Sequence, residues 1–167
     1  MKPYLEITGP FTGGVVGLHN MLIASTAFRA FLGVETEEQA AARTYLFDLD
    51  REPAELARLR PFAVIWPADR LDLDQYAGGQ QNYLAGSGEL VLVLTANDDH
   101  PKDSREGGLA FAAKLDAILL DLAGAAGRSD NLSIGRVGLF SRITHNPRED
   151  EAAAGSYWHA AFLVSWK

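Results

Sequence analysis

Five consecutive apolar residues, Leu90-Val91-Leu92-Val93-Leu94, constrain the fold of this chain more than any other feature. Successive side chains of a strand point to opposite faces, so this run is apolar on both of its faces. Strands with two apolar faces belong in the interior of a covered sheet. The run therefore predicts a central strand, and the rest of the chain must supply its neighbours and its cover.

Alternation predicts the other strands. From Tyr157 to Trp166, one face carries Trp158, Ala160, Phe162, Val164 and Trp166. Residues 134–143 and 62–66 also read as strands, and residues 71–74 alternate as a half-exposed strand does. Since residues 134–143 and 157–166 are consecutive strands, we expect them to pair in antiparallel fashion.

Helical spacing appears twice. Leu18, Met21, Leu22, Phe28 and Leu32 follow three- and four-residue steps that only Ser25 interrupts, and Gly33 is placed to end the helix. Phe111, Leu115, Ile118, Leu119 and Leu122 form the second apolar stripe. Between them, Thr36 and Gln39 have the spacing of a capping box, which predicts a further short helix.

These patterns predict an α+β fold with two main helices packed on one face of a largely antiparallel, about four-stranded sheet with long loops. We expect one domain over residues 1–167, with a flexible N-terminal arm (about 1–16) and loops at 78–88 and 144–155. Trp158, Phe162, Leu115, Ile118 and Leu92 should be buried together. Leu163, Phe140 and Tyr157 should lie on the open face, which suggests that a partner covers it.

Composition excludes several classes of function. The chain has 167 residues, no cysteine and a formal net charge of −7. Without cysteine there is no disulfide framework, thiolate nucleophile or cysteine metal site. The acidic charge argues against tight nucleic-acid binding, although DNA can pass such a protein without being gripped. No apolar run is long enough for a membrane span, and the N-terminus does not resemble a signal peptide, so we expect folding where the chain is made.

The candidate chemical sites are weak. Asp98, His100 and Asp103 combine carboxylates with an imidazole, but their spacing matches no metal loop, and we read them as a solvated loop whose substitution leaves folding and assembly nearly unchanged. The acidic pairs Asp48/Asp50 and Asp72/Asp74 read as polar faces turned to water.

Glycine-rich segments and histidines add no site. The Gly86-Ser87-Gly88 segment lacks the spacing of a nucleophile elbow, and residues 13–17 lack that of a phosphate loop. The histidines His19, His100, His145 and His159 are scattered. We therefore predict no catalytic residue, no metal ligand and no cofactor, and expect that the protein is not an enzyme.

The order of elements resembles a known family. The strand from Gly88 to Leu94, the amphipathic helix and the final hairpin that ends in Tyr157–Trp166 are similar to the tail-terminator, or tail-completion, proteins of long-tailed bacteriophages and related tail-like particles. The N-terminal helix and the strand after Pro61 are similar too. The likeness spans most of the chain but includes no diagnostic motif.

This resemblance implies a structural phage tail assembly protein in the virion, assembled in the host cytoplasm. It implies a homo-oligomeric ring, usually of six copies, that caps the tail tube and meets a neck or head-completion protein. The candidate assembly contacts are Gly78, Gly79, Tyr83, Gly86, Glu149, Asp150 and Glu151. No membrane partner and no active site are implied.

Two alternatives remain open. One is a head–tail connector or another minor tail protein. The other is a small α+β enzyme or ligand-binding domain with a pocket between helices and sheet, for which Asp98, His100 and Asp103 are the first residues to test. A deep polar pocket would favour the second alternative, whereas a flat domain with projecting segments would favour assembly.

Overall fold

The structure, a computed structural model, describes residues 3–47, 55, 58–78, 81–126, 133–140, 142–146 and 155–167. Within these residues the elements are α1 (Pro10–Ala24), α2 (Thr26–Leu32), α3 (Glu37–Ala41), β1 (Thr44–Leu46), β2 (Phe62–Gly78), β3 (Gln81–Asn97), α4 (Ser104–Ala126), β4 (Ile134–Leu139), β5 (Thr144–Asn146) and β6 (Tyr157–Trp166). Helices pack with a sheet, so the predicted α+β class is confirmed.

The strands form one six-stranded sheet in the order β1-β2-β3-β6-β4, and β5 pairs with β6 beyond the end of β4. β1 and β2 are parallel, whereas all other pairs are antiparallel. β3 lies between β2 and β6, so the apolar run of residues 90–94 is central, as predicted. The predicted count of about four strands is too low, because β1 and β5 have only three residues each and show too little alternation to be recognised.

The core lies between the helices and one face of the sheet. Its buried side chains include Leu18, Leu22, Phe28, Ile65, Leu92, Leu94, Phe111, Leu115, Ile118, Trp158, Phe162 and Val164. The five residues predicted to be buried together are all among them. The residues of β6 alternate strictly between partly buried and buried along the whole strand, which matches the alternation of their sequence.

Ser25 divides the predicted first helix in two. It ends α1, and its side chain caps α2 by accepting a hydrogen bond from the Phe28 N–H. Its hydroxyl also donates to the Asp121 carboxylate of α4 at 2.7 Å. This bridge to α4 stabilises the break, which spacing alone does not reveal. Gly33 ends α2 at a φ of 68°, as predicted, and the Thr36–Gln39 capping box begins α3.

No single helix in the described part of the chain is both long and apolar enough to cross a bilayer; α1 and α2 satisfy the two conditions only together, across a bend of 79°.

The glycine-rich opening is helical from Pro10, which corrects the prediction of a flexible arm over about residues 1–16. Val15 and Val16 are buried. A Cβ atom at Gly14 would lie 2.4 Å from Cε2 of Trp166, which is too close for any side chain. The glycine therefore lets α1 approach the aromatic end of β6, and close packing rather than flexibility explains this composition.

The predicted loop 78–88 is also wrong, because β3 begins at Gln81. A Cβ at Gly86 would lie 2.8 Å from the carbonyl oxygen of Pro10, and one at Gly88 would lie 2.6 Å from that of Arg70. Both glycines are thus sites of close backbone approach inside a strand. Of the predicted loop 144–155, residues 144–146 form β5, and residues 147–154 lie outside the described residues.

Candidate functional site

The candidate assembly residues fall into two groups. Gly78 ends β2, Tyr83 lies in β3 opposite Tyr76 of β2, and Gly86 lies further along β3. The structure therefore brings Gly78, Tyr83 and Gly86 onto one hairpin. Gly79 and the acidic residues Glu149, Asp150 and Glu151 lie outside the described residues, as do Asp48 and Asp50. The hairpin is therefore the part of the predicted contact surface that the structure describes.

The hairpin extends past the rest of the sheet. β6 accompanies β3 only as far as the Gly88–Trp166 pair, and β1 accompanies β2 only as far as the Leu46–Ile65 pair. Beyond these points β2 and β3 pair with each other, and no other described strand joins them. We call residues 71–78 and 81–87 the ribbon. At about 3.3 Å per residue, the ribbon is about 25 Å long.

The two sides of the ribbon differ. Leu71 pairs with Gly88 and Leu73 with Gly86, and a Cβ at either glycine would contact Trp166 on the helix side of the sheet. Glycine offers no side chain to cover its cross-strand partner. Leu71 and Leu73 are accordingly 37% and 49% exposed on that side. Asp72 pairs with Ser87, so it lies on the opposite side of the ribbon.

The base of the ribbon borders a cavity of about 280 Å³. Arg70, Asp72, Glu89, Ser165 and Lys167 contribute polar groups to it. The Arg70 Nε donates to the Asp72 carboxylate at 2.7 Å, but the two side chains are 70% and 50% exposed. An ion pair this exposed adds little to stability because water screens it, and it remains available for exchange with another charged partner.

A second polar cluster lies at the other end of β3 and consists of Asp98, His145 and Trp158. The Asp98 carboxylate has no exposed surface, and Nε2 of His145 donates to it at 2.9 Å. The backbone N–H of His100 donates to the other carboxylate oxygen at 2.9 Å. The His145 ring stacks on Trp158 with centroids 4.3 Å apart. The cluster therefore ties β5, β6 and the segment before α4 together.

The environment of Asp98 has opposing effects on its pKa. Burial raises the pKa of the carboxyl, but the His100 amide, the Trp158 indole and the His145 imidazole together hold it below the ordinary value of 3.8. The indole nitrogen of Trp158 is buried and makes no hydrogen bond within the described residues. The hydrogen bonds from the His100 amide and the His145 ring are therefore the contacts that stabilise the ionised carboxylate of Asp98.

This shift predicts how acid affects stability. Because the pKa of Asp98 is lower in the folded chain than in the unfolded chain, its stabilising effect is complete above the ordinary value and disappears as pH falls through the folded value. We expect the stability difference between the wild type and Asp98→Asn to shrink from neutral pH to about pH 2. Urea unfolding across this range measures it, with Asp116→Asn on the exposed side of α4 as the control. A difference that stays constant with pH would contradict the assignment.

The residues nominated from sequence have separate roles. Asp98 belongs to the buried cluster, whereas Asp103 accepts hydrogen bonds from the amides of Arg105 and Glu106 and caps α4. His100 contributes its backbone N–H to Asp98. Among the described residues, no three histidine or acidic side chains converge as metal ligands would. The sequence pointed to Asp98 but missed His145, which lies 47 positions away with no local pattern connecting the two.

Comparison with known proteins adds no assignment. No protein-family model matches the chain, and no curated protein is significantly similar to it.

Proposed function

We propose that this chain is a structural tail assembly protein of the tail-terminator type, which forms a ring of about six copies on the end of a tail tube and joins it to a neck or head-completion protein. It acts in the virion tail after assembly in the host cytoplasm, and it works by contact rather than by catalysis. Its partners are other copies of itself, the tube protein and the neck protein.

The ribbon is the observation that carries this proposal. A two-stranded hairpin without further strands is at best marginally stable in water. Here the hairpin continues for about 25 Å past the sheet, and it exposes Leu71 and Leu73 on one side. A projecting element of this kind favours a protein that docks on others.

Charge supports the expected relation to DNA. The chain carries a formal charge of −7, which a ring of copies would multiply. Proteins that hold DNA neutralise its phosphates with lysine and arginine, and each such contact resists movement. An acidic ring would let DNA pass without binding it. The element order of β3, α4 and the final strands adds the resemblance to tail-terminator proteins.

If the protein were an enzyme, the Asp98–His145 pair would be its candidate catalytic group. A histidine oriented by a buried carboxylate is a common general base. In the described part of the chain, however, His145 contacts Asp98 and Trp158, and no hydroxyl nucleophile lies within hydrogen-bonding distance of it. The pair has a structural role in joining β5 to the segment between β3 and α4, so we place the assembly function first.

Labelling of particles tests the proposed function. An antibody raised against the purified chain should mark one end of the tail tubes in preparations of tail-like particles from cells that carry this sequence. Electron microscopy with gold-labelled antibody shows its position. Label along the whole tube would indicate a tube protein, and label at the neck side alone would favour the connector alternative.

A shortened ribbon provides the matched control. Replacing residues 74–85 by an Asn-Gly turn should leave the circular dichroism spectrum native-like, because the core residues that the structure describes all lie in other segments. When the shortened chain replaces the wild type, the antibody should no longer mark the tail ends. Absence of the wild-type protein from purified particles would refute the proposed function.

A further inference from the structure

We infer that the ribbon of one copy pairs with β4 of a second copy, so that copies join head to tail through a continuous sheet. The partner is another copy of this chain, and the contact is strand addition between two sheet edges. This inference deepens the proposed function by naming the surfaces that meet in the ring, and its tests are separate from those of the tail location.

Both edges are available in the described residues. β1 covers β2 only at residues 63–65, and no other described strand pairs with the β2 edge of the ribbon. β4 pairs with β6 on one side and with no described strand on the other. Leu139, the last residue of β4, is 48% exposed, and Phe140, just beyond the strand, is 64% exposed. Exposed strand edges that carry apolar side chains pair readily with another chain.

The charges of the two edges are complementary. Residues 71–87 contain Asp72 and Asp74 and no basic residue, whereas residues 133–142 contain Arg136 and Arg142 and no acidic residue. Opposite charges directed at each other fix the register of a contact, and like charges exclude alternatives. Pairing the ribbon with β4 brings Asp72 to Arg136, in exchange for its exposed ion pair with Arg70, while pairing two ribbons would oppose acidic residues.

The faces match as well. Arg136 pairs with Ser165, on the side of the sheet away from the helices, and Asp72 lies on that side of the ribbon. Leu139 pairs with Phe162, on the helix side, where Leu71 and Leu73 also lie. If the ribbon continues the sheet at β4 with Asp72 opposite Arg136, antiparallel pairing sets Leu71 opposite Val137 and diagonal to Leu139, so charges meet on one face and apolar side chains on the other. A slip by one residue would exchange the faces and lose both matches.

Strand direction and stagger are compatible with a ring. Within one copy, three antiparallel steps lead from β2 to β4, so rotation about an axis along the strands sets the next β2 antiparallel to β4. Asp72 pairs with Ser87 of β3, whereas Arg136 pairs with Ser165, which pairs with Glu89 of β3. Ser87 and Glu89 are two residues apart, so Asp72 and Arg136 are offset by about 7 Å along the strands. From β2 of one copy to β2 of the next there are four strand spacings, a width of roughly 19 Å. Tilting the strands by about 20° from the ring axis over this width removes the offset.

Engineered cysteines test the contact directly, because the chain has none of its own. Mixing Asp72→Cys with Arg136→Cys under mild oxidation should give a disulfide-linked dimer at several times the yield of either variant alone, since strand pairing places Cα atoms within disulfide range. Mixing Asp116→Cys, on the exposed side of α4, with Arg136→Cys is the control. No preferential dimer at protein concentrations up to about 1 mM would overturn the inference.

Charge reversal provides an independent test. Asp72→Arg and Arg136→Asp should each raise the concentration of half-maximal self-association about tenfold, and mixing the two variants should restore it. Light scattering over a concentration series measures these values. If neither reversal changes them, or if the mixture is not restored, the inference is wrong even where antibody labels tail ends. If cross-linking succeeds but tail ends are unlabelled, the proposed tail location fails and the contact stands.

Discussion

Replacing Phe162 by alanine is expected to lower the free energy of unfolding by about 3–5 kcal/mol. Phe162 is 5% exposed in β6, and it pairs with Leu92 of β3 on one side and Leu139 of β4 on the other. The substitution removes a buried ring from the middle of the sheet and leaves a cavity against the helices. Rigid neighbours such as Leu92 cannot collapse into it without disturbing their own packing.

Equilibrium unfolding in urea, monitored by circular dichroism, measures this loss. Phe140→Ala is the matched control, because the same side-chain change occurs at a ring that is 64% exposed. The control should change stability by about 0.5 kcal/mol or less. A loss below about 1 kcal/mol at Phe162 would mean that the ring is not in the core and that the register of β6 is wrong.

Strand patterns predicted the core well because burial and alternation coincide there. Residues 90–94 are apolar on both faces, which is typical of a central strand, and residues 157–166 alternate, which is typical of a strand with one buried face. The stripe of α4 predicted its buried face in the same way, from Phe111 to Leu122. In these segments the face of the strand or helix on which a residue lies decides whether it is buried. The local sequence is therefore sufficient to predict its burial.

Glycine content predicts the wrong local structure here for a physical reason. Gly14, Gly86 and Gly88 lie in segments predicted to be flexible, yet each lies in a helix or strand where another chain segment approaches closely. Glycine permits both flexible turns and close approach. The neighbour decides which applies, and that neighbour, such as the indole of Trp166 beside Gly14, is distant in sequence.

The same limit explains the incomplete prediction of the polar cluster. Asp98 stands among polar residues that continue to Arg105, which is typical of a solvated loop, and its neighbour Asp99 is indeed 56% exposed in an ion pair with Lys114. Asp98 differs because β5 brings His145 to it and because Gly107 leaves room for its carboxylate. Neither contact has a signature near Asp98, so the expectation that its substitution is harmless must be revised.

Asp98→Ala is expected to cost about 2–4 kcal/mol, because it removes a buried charged acceptor and leaves the donors of His100 and His145 without their partner. Asp99→Ala, one residue away, should cost about 0–1 kcal/mol, since its ion pair is exposed. Unfolding of both variants at neutral pH compares them directly. Asp103→Ala should fall between them, at about 1 kcal/mol, because it removes a helix cap.

The order of these three losses separates two descriptions of the segment after β3. If it is a solvated loop, Asp98 and Asp99 are equivalent, and both variants unfold like the wild type. If Asp98 anchors β5, its loss should also release His145 from Trp158, which near-ultraviolet circular dichroism of the indole would detect. An Asp98→Ala variant with unchanged stability and an unchanged indole signal would restore the loop description, and would remove the structural role that places assembly ahead of catalysis for this pair.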